Sequence, residues 1–269
     1  MSNAEFNRNQ LTFNSITQEY MKCDLFPPER ELLVILRDRL NQLDMLDLGV
    51  GAGRTSYTFA ALVRTYIGID YAPAMVEMCR SRFGESDRQK FLCLDAADLS
   101  KLDDKKFDLV LFSFNGIDCV ELEQRHKILK EVHRLLKPDG YFFFSGGSLD
   151  AFPWPVQWPR FRFARPLRSM GALAKKTIWN CRRSWANRRQ NAEDLKKRGW
   201  AYLQNGAHNF SLMLFFSTRG YQIRELTDHG FEIECCFLPD GSRLSPTQPA
   251  SDVFIYYLCR PTPPSEQPV

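Results

Sequence analysis

The stretch that decides the fold is "LDLGVGAGR", Leu46 to Arg54, in which three glycines occupy alternate positions directly after a short apolar run. A strand that runs into glycines before a helix is typical of a turn whose backbone approaches a ligand, although glycines also serve simply to reverse a chain. The dinucleotide fingerprint G-x-G-x-x-G would need a glycine where Arg54 stands, and a P-loop would need a following Gly-Lys-Ser/Thr. The pattern therefore disfavours both of those nucleotide sites.

Short apolar runs and amphipathic segments alternate along the chain, which predicts an α/β sheet of parallel strands with helices covering both faces. The predicted strands are 45–48, 66–70, 90–96, 107–114 and 141–147. The predicted helices are 27–40, 55–63 with Thr55 or Ser56 as its cap, 74–83, and 124–140 with Pro138 and Gly140 at its end. A helix at 218–229 and two strands, 231–238 and 252–259, follow; the two strands are predicted to pair as an antiparallel hairpin at the sheet edge.

Three further strand ends carry polar residues. Asp70 ends the second strand, 21 residues after Gly49, near the roughly 20-residue interval at which an acidic side chain binds a ribose diol in this architecture; it could instead cap the next helix. Asp95 ends the third strand, where its carboxylate and the amide of Ala96 could meet a purine edge. The fourth strand is followed by the polar turn 113–116. Four strand ends thus converge on one cleft.

The motifs "LDLGVGAGR", "GIDYAPAMV", "LDAADL", "FDLVLFSF" and "LLKPDGYFFFS" occur in the order and spacing of the class I S-adenosylmethionine-dependent methyltransferases. The chain resembles this family over about residues 28–148 and the closing hairpin, and its segment from His208 onward is similar to bacterial small-molecule and sugar methyltransferases. The resemblance implies a Rossmann-like, seven-stranded, mostly parallel sheet with an antiparallel last strand. It also implies S-adenosyl-L-methionine as the cofactor.

The resemblance assigns the residues at these strand ends to parts of the cofactor. They are Asp47, Gly49 and Gly51 around the methionine part, with Gly53 in the same turn; Asp70 at the ribose, with Tyr71 beside it; Met75 on one face of the adenine; Asp95 and Ala96 at its edge; and Ser113 and Phe114 near the sulfonium.

Methyl transfer from a sulfonium is an in-line displacement, so orientation and exclusion of water could suffice without a catalytic residue. If the acceptor is a hydroxyl, a general base helps by roughly 10²–10⁴-fold. Three residues outside the cofactor motifs are candidates: His208, which could equally be a surface residue; Asp118, in the loop after the fourth strand; and Tyr20, which would close the site from the N-terminal side.

The composition disfavours a membrane protein and a metal-binding protein. The chain has no basic start followed by an apolar core, and its longest apolar runs are strand-sized, so it is expected to be soluble and cytoplasmic. None of its eight cysteines forms a C-x-x-C pair, and most lie in apolar stretches where a thiol behaves as a small hydrophobe. The sequence therefore predicts no metal site.

The charge is concentrated in residues 151–200, which hold 13 Lys/Arg, 2 Asp/Glu and all five tryptophans. Residues 170–185 are predicted to form a basic amphipathic helix. It could be a lid over the substrate cleft, a surface for an anionic acceptor or a lipid headgroup layer, or a nucleic-acid site. Because the rest of the chain is acidic and no known RNA-binding module is attached, nucleic acid ranks below a small molecule.

Together these patterns predict an N-terminal cap (1–27), a cofactor-binding core (28–148), a helical, basic, Trp-rich insert over the acceptor (149–210), a C-terminal helix and hairpin (211–260) and a disordered tail (261–269). The predicted activity is methylation of a small metabolite or saccharide, at oxygen. The alternatives are an RNA methyltransferase that uses the insert and a regulatory protein that binds S-adenosylmethionine without turnover.

Overall fold

The glycine-rich turn joins the strand at the centre of a mixed sheet to a helix. The computed structural model describes residues 24–152, 182, 186–187, 190–204, 212–245 and 252–262. Its helices are α1 (Pro27–Leu36), α2 (Ser56–Leu62), α3 (Pro73–Phe83), α4 (Leu122–Leu135), α5 (Ala192–Arg198) and α6 (Arg219–Asp228). Its strands are β1 (Asp44–Leu48), β2 (Thr65–Asp70), β3 (Gln89–Cys93), β4 (Phe107–Phe112), β5 (Leu136–Ser148), β6 (Trp200–Gln204), β7 (Met213–Ser217), β8 (Phe231–Phe237), β9 (Arg243–Leu244) and β10 (Phe254–Pro261).

The strand order is β3-β2-β1-β4-β5-β10-β8-β9. Neighbours from β3 to β5 are parallel, whereas β10 is antiparallel to both β5 and β8. The predicted mostly parallel sheet with an antiparallel last strand is therefore confirmed, as is the pairing of the two closing strands. The described residues form ten strands rather than seven, because β6, β7 and β9 extend the sheet. The order reverses between β1 and β4, which is where open α/β sheets bind ligands.

Two apolar clusters cover the two faces of the sheet. One contains Ile128 and Val132 of α4 with Phe142 and Phe144 of β5. The other contains residues of α1, α2 and α3 together with Phe143. Because successive side chains of a strand point to opposite faces, the three consecutive phenylalanines of β5 contribute to both clusters. This burial on both sides explains the continuous apolar composition of the central strands.

The boundary between α4 and β5 differs from the prediction. The helix ends at Leu135, and β5 begins at once, so Pro138 and Gly140 lie within the strand rather than at a helix end. The pairing of β4 with β5 is irregular here, since Phe107 pairs with Leu136 but Leu109 pairs with Tyr141. This irregularity accommodates the proline, which has no N–H to donate to the strand ladder.

Part of the segment predicted as a helical insert belongs to the sheet. After α5, strand β6 pairs antiparallel with β7, and β7 pairs with the end of β5 at Gly147 and Ser148. A third apolar cluster, which includes Leu149, Leu195 and Phe216, packs around these elements. Trp200 stacks on Phe215 with ring centroids 5.7 Å apart, so this tryptophan packs within the fold. The other four tryptophans and the predicted basic helix lie outside the described residues, apart from Arg182.

None of the helices in the described segments is long and apolar enough to cross a membrane. Within those same segments, no group of three or more His, Cys, Asp or Glu residues is arranged to hold a metal ion.

Gly53 is where the turn packs most closely on the fold. Its φ is +84°, and a Cβ built there would lie 2.2 Å from the ring of Phe83. We therefore expect Gly53→Ala to lower the free energy of unfolding by about 1–3 kcal/mol, from the unfavourable backbone conformation and the overlap together. Urea denaturation measures this change.

The contribution of the ring can be isolated with the variant Phe83→Ala. If the overlap is the main cost, Gly53→Ala should destabilise the Phe83→Ala background less than it destabilises the wild-type chain. Additive effects of the two substitutions would contradict this account.

Candidate cofactor site

The glycine turn is fixed against the end of β2 by two hydrogen bonds. The Val50 amide donates to the Ile69 carbonyl at 2.9 Å, and the Gly51 amide donates to Asp70 Oδ2 at 2.9 Å. The other carboxylate oxygen of Asp70 accepts from the amide of Ala72 at 2.9 Å. Burial raises the pKa of Asp70, against the lowering effect of the two amides. The sequence interval of 21 residues between Gly49 and Asp70 thus does bring the second strand end to the turn.

The space above Gly51 has the shape that a close ligand requires. Gly51 has a φ of +54°, and a Cβ built there would find only the Gly49 carbonyl, at 4.0 Å. Each oxygen of Asp70 accepts one backbone N–H, and a carboxylate offers about four lone-pair directions in all. Asp70 can therefore still accept hydrogen bonds from two vicinal hydroxyls. The open turn at Gly51, beside a carboxylate that can accept hydrogen bonds, fits the ribose and methionine parts of S-adenosylmethionine.

Asp47 supports the glycine turn from its buried side. Its side chain is buried, and its Oδ2 accepts from the hydroxyls of Thr55 at 2.5 Å and Tyr66 at 2.7 Å. Burial raises the pKa of Asp47 to about 6, although both hydrogen bonds lower it. The Thr55 hydroxyl thus binds Asp47 rather than capping α2, as the sequence had suggested. Thr55 and Tyr66 were not predicted as supports, because nothing in their spacing points to Asp47.

The residues predicted at the adenine lie at the neighbouring strand ends. The Leu94 amide donates to the Asp70 carbonyl at 3.1 Å, which holds the segment after β3 against the end of β2. Asp95 is exposed and accepts from the amide of Ala97 at 2.9 Å. Met75 lies half-buried in the first turn of α3, and the carbonyl of Tyr71 accepts from the Cys93 thiol.

An ion pair that was not predicted from the sequence joins α1 to the glycine turn. Glu29 of α1 is buried, and both of its oxygens accept from the Arg54 guanidinium at 2.6 Å. The Ser113 hydroxyl also donates to Glu29. The Arg54 guanidinium lies 4.2 Å from the ring centroid of Phe26, and Phe26 stacks on Phe114 at 5.3 Å. Arg54, in place of the third glycine of the fingerprint, was the only indication of this ion pair in the sequence. It did not indicate that Glu29 would be the partner.

The loop after β4 has an unusual backbone. Phe114 and Asn115 have φ values of 59° and 60°, the left-handed region that residues other than glycine seldom adopt. Phe114 is 45% exposed. The ring of Phe112, at the end of β4, lies within 3.0 Å of a Cβ built at Gly49, so this loop and the glycine turn are neighbours.

The prediction of Asp118 as a general base does not agree with its surroundings. Asp118 has no exposed surface; one oxygen accepts from Arg125 at 2.8 Å and the other from the Gly147 amide at 2.8 Å. Burial raises the pKa of Asp118 to about 7, against the effect of Arg125. A substrate hydroxyl cannot reach it without displacing these partners. The other two candidates, His208 and Tyr20, lie outside the described residues.

Comparisons with known proteins identify a methyltransferase domain in the part of the chain that carries these strand ends. A family model described as "Methyltransferase domain" matches residues 45–140. A demethylmenaquinone methyltransferase of Clavibacter sepedonicus is 38% identical over 96 residues, 36% of this chain and 38% of the relative. A malonyl-[acyl-carrier protein] O-methyltransferase of Marinomonas sp. is 32% identical over 117 residues, 42% of each chain. The chain therefore spans about two-fifths of the length of these relatives.

The fold is also similar to solved structures. A crystal structure of an S-adenosylmethionine-dependent methyltransferase from Mesorhizobium loti superposes with a TM-score of 0.59 at 18% identity, covering 87% of this chain and 97% of the other. At this identity the likeness concerns the fold alone.

A side chain at Gly51 would occupy the space assigned to the cofactor. We expect Gly51→Ala to weaken S-adenosylhomocysteine binding at least about 10-fold, while the left-handed backbone costs about 1–2 kcal/mol of stability. Isothermal titration calorimetry measures the affinity. Gly84→Ala is the matched control, because Gly84 also has a positive φ and a Cβ there meets no atom within 4 Å. Equal affinities of the two variants would contradict the assignment.

Loss of the Asp70 carboxylate should remove the acceptor for the ribose. We expect Asp70→Ala to weaken S-adenosylhomocysteine binding about 10–100-fold, since hydrogen bonds to a charged group contribute about 1.5–3 kcal/mol. Calorimetry on protein shown by circular dichroism to be folded measures this effect. Asp98→Ala, which removes an exposed carboxylate from a nearby loop, should leave the affinity unchanged. Unaltered binding by Asp70→Ala would refute the ribose assignment.

Proposed function

Because the chain belongs to the class I S-adenosylmethionine-dependent methyltransferases, we propose that it transfers a methyl group to a small-molecule acceptor, at an oxygen atom. The observation that carries this proposal is the open turn at Gly51 beside the Asp70 carboxylate, at the point where the strand order reverses. The cofactor supplies an electrophilic methyl group bound to a positively charged sulfur. The chain has to bind it, orient it and keep water away.

Each side of the cleft has residues suited to one part of that task. We assign Asp70 to the ribose hydroxyls, with Gly49 and Gly51 against the amino-acid part. Asp95 and the Ala96 amide, on the exposed segment after β3, are assigned to the adenine edge. The loop from Ser113 to Asn115 faces the reacting side, because it adjoins the glycine turn and continues from β4.

Orientation accounts for most of the proposed rate enhancement. Holding two reactants in line is worth about 7–11 kcal/mol in favourable cases. The aromatic pair Phe26 and Phe114 offers an apolar surface at this end of the cleft that could help to exclude water. Since Asp118 is enclosed, His208 and Tyr20 are the remaining candidates for a catalytic residue if the acceptor is a hydroxyl.

The acceptor is proposed to bind on the side formed by residues 149–210. The 13 basic residues within 151–200 suit an acceptor that carries a carboxylate or phosphate. Transfer to oxygen is supported by the similarity to the Marinomonas O-methyltransferase, whereas the Clavibacter relative is named for demethylmenaquinone. The same basic residues also favour the second candidate function, methylation of RNA, and contact with an anionic membrane surface is a third use for them.

The class of acceptor can be identified by transfer of a radioactive methyl group. We expect the protein, incubated with labelled S-adenosylmethionine and a deproteinised cell extract, to place the label in small molecules. Nuclease treatment of the extract should not change this result; loss of a macromolecular product after nuclease would favour RNA. The variant Asp70→Ala is the control for cofactor-dependent labelling.

The bond formed can be read from the labelled product. Hydriodic acid releases methyl iodide from an O-methyl group but not from a C-methyl group, so volatile label is expected. Label that stays in the product would contradict transfer to oxygen and would indicate transfer to carbon or nitrogen. Absence of any labelled product, with S-adenosylmethionine still bound, would favour the non-catalytic binding protein instead.

A further inference from the structure

The guanidinium of Arg125 lies fully buried behind the loop that follows β4. Its Nε donates to both oxygens of Glu225 at 2.9 Å, its Nη1 donates to Asp118 at 2.8 Å, and its Nη2 donates to Gln222 at 2.9 Å. The relative exposure of Arg125 and Asp118 is 0%, and that of Glu225 is 4%. One side chain of α4 therefore joins α6 to the loop.

The same cluster reaches the end of β5. Asp118 accepts from the Gly147 amide at 2.8 Å, and Gln222 accepts from the Ser217 hydroxyl at 3.1 Å. The Arg125 guanidinium also lies 4.5 Å from the ring centroid of Phe215 on β7. The cluster around the Arg125 guanidinium thus joins α4, α6, β5 and β7. Asp118 is its member from the loop after β4.

The loop needs such support because its backbone is strained. The left-handed conformation is unfavourable for residues other than glycine, and Phe114 and Asn115 are two such residues in succession. The Asn115 amide donates to the buried Ser145 hydroxyl at 2.7 Å, and the Asn115 carbonyl accepts from the Asp118 amide at 3.0 Å. Asp118 therefore connects the strained pair directly to the buried guanidinium.

The energetics favour a role in positioning over a role in stability. Taking an arginine and two carboxylates out of water carries a desolvation cost, and well-packed apolar residues often serve stability as well or better. The geometric effect of this cluster is specific: the guanidinium has five donors in a rigid fork, so it fixes Asp118 in relation to α6. We propose that Arg125 is a positioning residue, which acts through Asp118 to hold residues 113–119 in the conformation that faces the cofactor.

This inference rests on the proposed function only in that residues 113–119 face the reacting side; the conformation of the loop can be tested without an acceptor. The variants are Asp118→Asn and Arg125→Lys, which weaken the connection to the loop. The matched control is Glu225→Gln, which alters the same buried cluster but leaves the bond between Arg125 and Asp118 in place.

Hydrogen–deuterium exchange of the peptide 113–121 in the cofactor-free protein is the primary measurement. We expect Asp118→Asn to accelerate this exchange about 10-fold or more, which corresponds to about 1.4 kcal/mol of local opening. The neutral amide weakens the bond to Arg125 and has only one oxygen for the two donors, Arg125 and the Gly147 amide. Glu225→Gln should leave the exchange near the wild-type rate when both variants are compared at equal distance from their unfolding midpoints. Similar exchange in the two variants would overturn the proposal.

S-adenosylhomocysteine affinity, measured by calorimetry, supplies a second result. Asp118→Asn and Arg125→Lys are expected to bind about 10-fold more weakly than Glu225→Gln, beyond what their stabilities explain. If Arg125→Lys does not fold, Asp118→Asn alone decides. Failure of the wild-type protein to bind would count against the proposed function, whereas unchanged affinity of Asp118→Asn beside normal wild-type binding would count against the positioning role.

Discussion

The hydrogen bond from the Gly51 amide to Asp70 is the constraint on which the candidate cofactor site depends. It fixes the end of β1 to the end of β2 at a point where the backbone is left-handed, and it leaves the outer side of Gly51 open. Asp47 holds the turn from the inner side through Thr55 and Tyr66. Because both carboxylates bind donors of the protein itself, the site does not need a ligand to acquire its shape, which lowers the cost of binding one.

The departure from the dinucleotide fingerprint has a structural explanation. In that fingerprint the third glycine allows close packing of the helix on the strand. Here Arg54 occupies the position, and its guanidinium reaches the buried Glu29 of α1 and the Ser113 hydroxyl beyond it. The N-terminal helix is thereby joined to two strand ends that adjoin the cofactor site. A glycine at position 54 could not make this connection.

The sequence predicted the features that depend on local periodicity and on strand ends. The alternation of apolar and amphipathic segments identified the central strands, and the interval from Gly49 to Asp70 correctly placed the end of β2 beside the glycine turn. Strand β6 was missed because basic composition dominated the prediction for its segment. The role of Asp118 was missed for a different reason: Arg125 reads as part of the polar face of a helix, and its partner Glu225 is 100 residues away.

The two sides of the proposed cleft are held in place by different elements of the fold. The proposed cofactor side consists of the glycine turn and the neighbouring strand ends, which lie within the matched residues 45–140. The proposed reacting side carries a strained loop and a buried ionic cluster whose members come from α4, α6 and the loop itself. Strain and buried charge persist only where the surrounding structure over-determines them. The matched residues 45–140 include the loop, Asp118 and Arg125, whereas Gln222 and Glu225 of α6 lie beyond them. The cluster that holds the loop is therefore completed by a helix outside the matched segment.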